Sequence, residues 1–94
     1  MQQAHVNMPS TDEINQMNRE IMNLKDRARK SRFDARRSFH TQMRAVEDHY
    51  DLVVARMNRV ARRGEGISEE LQAGLSQAWG DLKDSFDRAS RYIQ

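Results

Sequence analysis

The residues best equipped for chemistry in this chain are cations. Lys25, Arg27, Arg29, Lys30, Arg32, Arg36, Arg37 and Arg44 fall within twenty positions that hold only two carboxylates, Asp26 and Asp34, a local charge of +6 in a chain whose net charge is +2. On a helix, Phe33 has Arg29, Lys30, Arg36 and Arg37 at minus four, minus three, plus three and plus four, the positions that share its face. An outward aromatic ringed by cations can insert beside phosphates, into an anionic lipid surface or onto an acidic protein while the charges neutralise the partner. Arg29, Lys30, Arg32, Phe33, Arg36 and Arg37 therefore form the candidate patch for an acidic partner. A purely structural role is also open to them. Guanidinium groups stacked on the Phe33 ring gain about 0.5–1 kcal/mol per contact. The arginines can also pair with acidic runs of another chain, at Glu47, Asp48 and Asp51, at Glu65, Glu69 and Glu70, or at Asp81, Asp84 and Asp87. No nucleic-acid-binding motif accompanies the patch, and the interleaved aromatics of single-strand binders are missing.

Other chemistry finds little to stand on. The chain has no cysteine, which excludes a disulfide scaffold and a cysteine-ligated zinc module. His40 and His49, nine residues apart, fall on opposite sides of one helix, and His5 lies near the N-terminus, so no metal site is expected. Met17, Met43 and Met57 occupy apolar seam positions, where a thioether fills gaps rather than binding copper. There is no Gly-rich phosphate loop, no HExxH and no carboxylate–histidine spacing of a di-iron bundle. The expectation is a protein without catalytic residues, cofactor or small-molecule substrate.

The elements that must position these residues are helices. At 94 residues, with 37% hydrophobic and 32% charged, the chain has material for one layer of helix contacts. Its longest apolar run, Leu52 to Ala55, is far short of the ~20 residues that span a bilayer, and the opening residues resemble no export signal. Residues 1–9 read as a disordered tail and the chain as cytoplasmic. Ser10 with Glu13 makes a capping box. From there apolar residues recur at steps of three and four through Ile14, Met17, Ile21, Leu24 and Ala28. After a weak stretch the steps resume through Ala35, Phe39, Met43, Val46, Tyr50, Val53, Met57 and Val60, with a stutter at the two steps of four between Ala35 and Met43. Without Gly or Pro between Ser10 and Arg63, one helix over 10–63 is expected, ~80 Å long at 1.5 Å per residue, with a break near Ser31 to Asp34, giving a compact three-helix bundle, left open as the alternative. Gly64 and Gly66 mark a turn over 64–67. Ser68 caps a second helix over 68–93, with Leu71, Leu75, Ala78, Leu82, Phe86, Ala89 and Ile93 on its stripe.

The segments INQMNREIMNLKDRARKSRFDARRSF and ELQAGLSQAWGDLKDSFDRASRYI, with their Ala-Trp, Leu-Lys and Gly elements, resemble small bacterial coiled-coil proteins, often described as stress-related and without established activity. The resemblance covers nearly the whole chain. It implies a helical, cytoplasmic, non-enzymatic protein and brings no site residue with it. The chain departs from the group in its arginine-dense middle and in Met17, where an aromatic is usual.

If the two helices pair antiparallel across a tight turn, Val60 faces Leu71 and Met57 faces Leu75, and the shorter helix runs out near residue 38. Ile14, Met17, Ile21 and Leu24 are then left bare, and water does not tolerate such a strip on a lone helix. Trp79, Phe86 and Ile93 form a further apolar row beside Leu75, Leu82 and Ala89. The expected fold is an all-α antiparallel coiled-coil hairpin, one domain over 10–94, assembling with itself into a bundle of four or more helices. The expected interface is Ile14, Met17, Ile21, Leu24, Trp79, Phe86 and Ile93. Besides a second copy, the partners expected are an acidic protein, a nucleic acid or an anionic membrane.

Overall fold

A computed structural model of the chain describes residues 8–30, 36–63 and 68–93, with the side chains of Arg36 and Arg63 left aside. Three helices make up the described residues: α1 (Thr11–Lys30), α2 (Arg36–Arg63) and α3 (Glu69–Ser90), followed by a short 3-10 turn over Arg91–Ile93. There is no strand among the described residues. The expected tail falls mostly on residues 1–7, and the expected turn 64–67 likewise lies outside the described residues. Met8 and Pro9 are described, and they are not free: Met8 packs on the core and Pro9 is buried.

Each helix start has a local cause. The Ser10 amide donates to Glu13 Oε1 (2.9 Å) while the Glu13 amide donates to Ser10 Oγ (3.1 Å), the reciprocal pair of a capping box. Pro9 and Ile14, one residue before the cap and four after it, are both buried, the positions of a hydrophobic staple. Ser68 Oγ accepts from the Leu71 amide (3.1 Å) at the start of α3, where Glu69 and Glu70 suit the positive end of the helix dipole.

The single helix over 10–63 is corrected. α1 ends at Lys30, α2 begins at Arg36, and the whole molecule measures 49 × 28 × 19 Å, well short of an ~80 Å rod. The physical reason is the apolar strip on α1. Ile14, Met17, Ile21 and Leu24 are buried in one core with Phe39, Met43, Val46, Val53 and Val60 of α2 and Leu75, Ala78, Trp79, Leu82 and Ala89 of α3. Burying four such side chains contributes about 1.5–3 kcal/mol each. That gain is open only to a chain in which α1 packs back on α2, as the Lys25–Glu47 pair shows it does.

The residues expected at an interface lie within the chain's own core. Ile14, Met17, Ile21, Leu24 and Trp79 are buried within their own chain, and Phe86 and Ile93 pack half-buried on the same core. The second apolar row of α3 joins the same core as the strip on α1. Arg27 of α1 donates to the carbonyl of Ile93 (3.5 Å), which places the end of α1 beside the 3-10 turn. Within one chain the strip on α1 is therefore not bare.

α2 and α3 form the most extensive packing in the molecule. Their meeting faces carry small residues, Gly74, Ala78 and Ser85, which let the helices come close. Arg56 of α2 lies half-buried across this face and donates through Nη1 to the carbonyl of Gly74 (2.7 Å), within one residue of the register in which Met57 faces Leu75. A Cβ on Gly74 would stand 2.9 Å from that nitrogen, whereas one on Gly80 meets nothing within 4 Å. On the outer edge of the same helix, Lys83 Nζ sits 5.7 Å above the Trp79 ring.

Two mutational outcomes follow from this packing. Leu24→Ala, at a position only 1% exposed, lowers stability by about 2–5 kcal/mol in thermal or urea denaturation. Met22→Ala two residues earlier, at 61% exposure, leaves it within about 0.5 kcal/mol. Gly80→Ala raises stability by about 0.5–1 kcal/mol, several degrees in melting temperature. Gly74→Ala gains less or nothing, because it displaces the Arg56 guanidinium from its carbonyl; equal gains from the two would sink this account of Gly74.

Candidate functional site

The side of the bundle where α1 ends and α2 begins is where the cations collect. Lys25, Ala28 and Arg29 of α1 and Arg37, Phe39, His40, Thr41, Met43, Arg44 and Glu47 of α2 line a cleft of about 700 Å³. The helical geometry accounts for its two textures. Phe39 and Met43, one turn apart, point into the core and are 3% and 4% exposed, so with half-buried Ala28 they make an apolar floor. Arg37 and Arg44 sit at a seven-residue spacing on the flank of α2, and Lys25 and Arg29 at a four-residue spacing on the flank of α1. They form a cationic rim around that floor.

The rim is mostly unspent. Lys25 Nζ pairs with Glu47 Oε2 at 2.5 Å, joining the two helices across the cleft with both side chains about half exposed. Glu47 is the one carboxylate among the described lining residues. Arg29, Arg37 and Arg44 enter no ion pair among the described residues. Thr41 Oγ1 donates to the Arg37 carbonyl (3.4 Å).

The structure brings together only part of the patch read from the sequence. Arg29 and Arg37 meet at the cleft. Lys30 is exposed but turned along its own helix, pairing with Asp26 at 3.2 Å. Arg36 opens α2 with its side chain left aside, and Arg32 and Phe33, the proposed outward knob, lie outside the described residues. The aromatic at the described site is Phe39, and it is floor rather than knob. Lys25, Arg44 and Glu47 join the site although the sequence assigned them no place in it. A reader who folds α2 back on α1 finds Lys25 close to Glu47 and Arg44, but that signal exists only once the chain is known to reverse.

The chemistry open to this arrangement is recognition. Arginine forks hold carboxylate or phosphate oxygens in pairs, and the floor can take an aliphatic or aromatic side chain. Among the described residues, no three of His, Cys, Asp and Glu come close enough to hold a metal ion. None of the described helices is long and apolar enough to cross a membrane.

No protein-family profile matches the chain, and no curated protein or solved structure proves similar to it. The likeness to coiled-coil proteins thus rests on the residues alone.

The Lys25–Glu47 pair gives a measurable expectation. In a double-mutant cycle to alanine, its coupling amounts to less than about 1 kcal/mol and shrinks as salt is raised, because both groups remain half exposed. A coupling of several kcal/mol, insensitive to salt, would mean that the pair is a structural clamp.

Proposed function

We propose that this protein is a non-catalytic interaction module whose cationic cleft between α1 and α2 docks an acidic protein surface that carries an apolar side chain. The single observation behind this reading is the composition of the cleft: Lys25, Arg29, Arg37 and Arg44 around a floor of Ala28, Phe39 and Met43. A polyanion needs the rim but has no use for the floor. An apolar anchor flanked by carboxylates uses both, which favours a protein partner over nucleic acid or lipid. In this reading α2 and α3 are an antiparallel coiled-coil hairpin, the rigid part, and α1 completes the docking surface.

The experiment is a fluorescence-anisotropy titration with a labelled helical peptide of glutamate turns around a central leucine. The expected result is binding at 50 mM salt that weakens about tenfold or more by 300 mM and by at least about tenfold in Arg37→Glu/Arg44→Glu. An oligonucleotide and vesicles with anionic lipid run as parallel arms. Tighter binding of the oligonucleotide, with a steep log–log salt slope, would replace the reading with phosphate neutralisation. Vesicle binding without peptide binding would replace it with membrane docking. Absence of peptide binding at low salt would overturn it.

A further inference from the structure

The outer face of α2 carries more than the cleft rim. Arg37, Thr41, Arg44, Asp48, Asp51 and Ala55 follow one another at helical steps of three and four, with Leu52 four after Asp48, and every one of them is exposed. They lie on the solvent side of α2, with Arg37, Thr41 and Arg44 at the edge it shares with the cleft, while Arg56 turns toward α3 and Glu47 toward α1. No described part of the chain covers this face. Leu52, 40% exposed, is one of three large apolar residues in the open among the described residues, and Asp48 and Asp51 stand near it at minus four and minus one.

The charges along the stripe are in blocks: two arginines, then two aspartates with the leucine. Arg44 and Asp48 are four apart on one helix, a spacing that permits pairing, yet neither they nor Arg37 or Asp51 enter an ion pair among the described residues. A face of this kind is self-complementary. Laid parallel on its own copy it sets like charge on like; laid antiparallel it sets each block on its opposite.

We propose that this face is an interface between two copies of the chain, related by a twofold axis near the Arg44–Asp48 turn. Arg44 of each copy faces Asp48 of the other, Arg37 stands one turn beyond Asp51 and reaches back toward it, and Leu52 of each comes over His40 at the mouth of the other's cleft. The inference rests on the docking reading above and names its occupant. A second copy suits the cleft because it presents an apolar side chain flanked by carboxylates. The twofold arrangement makes every contact twice, with no net charge left in the blocks. This interface is distinct from the apolar strip of α1, which the molecule buries itself. One helix face per copy is a small contact, so the pair is weak and dissociates as the protein is diluted.

Sedimentation velocity on the full chain, over a wide concentration range and in 50 and 500 mM salt, tests the proposal. The expected result is a species of twice the 11.0 kDa chain mass at high concentration and low salt, receding at high salt. Asp48→Arg/Asp51→Arg alone and Arg37→Glu/Arg44→Glu alone each weaken it by at least about tenfold. An equimolar mixture of the two variants restores a dimer, which misfolded chains could not do; circular dichroism checks each variant separately.

A wild type that stays at 11.0 kDa throughout while binding the acidic peptide overturns the twofold pairing and leaves the docking reading standing. A dimer indifferent to both charge reversals, or a mixture that fails to re-form one, also overturns the pairing. Loss of peptide binding in the Asp48→Arg/Asp51→Arg variant, whose rim is intact, counts against the docking reading itself.

Discussion

Everything in this molecule depends on covering two apolar surfaces at once. α3 presents Leu75, Leu82 and Ala89 on one row and Trp79, Phe86 and Ile93 on the next, and a single neighbouring helix can cover only one of them. α1 presents Ile14, Met17, Ile21 and Leu24 and has no cover as a lone helix. Both join one core with the buried stripe of α2. The three-helix body is the arrangement in which neither strip nor row is left in water.

That arrangement has an electrostatic cost, and the cost is concentrated in one place. Asp12 and Glu13 open α1, and Glu69 and Glu70 open α3, as the helix dipole favours; α2 has no acidic residue in its first turn and starts with Arg36 and Arg37. Folding α1 back brings Lys25 and Arg29 beside them. Like charges gathered at the positive end of a helix oppose folding, and a local rule broken in this way commonly marks a functional surface. The apolar floor beneath those cations turns a crowd of charges into a place with shape.

Much of the local structure was legible in the sequence. The Ser10–Glu13 reciprocal cap, the Ser68 cap and the burial of Ile14, Leu24, Met43, Val46, Leu75 and Leu82 all follow from residue type and spacing, because each depends on neighbours within a turn or two. The site was less legible. Arg29 and Arg37 were assigned to it, but the aromatic partner was sought at Phe33, and Lys25, Arg44 and Glu47 went unassigned.

The sequence by itself determined which residues are helical, which face of each helix is apolar, where the caps fall and that positive charge gathers between residues 25 and 44. Periodicity carries this information because it reflects interactions within one helix. Only the tertiary structure decided whose atoms cover the strip on α1. The apolar steps run on past Lys30 with no Gly or Pro to stop them, so a continuous rod and a reversed chain share one pattern. What separates them is the burial gained between residues distant in the chain. That gain belongs to the packed molecule, and the cleft exists because of it.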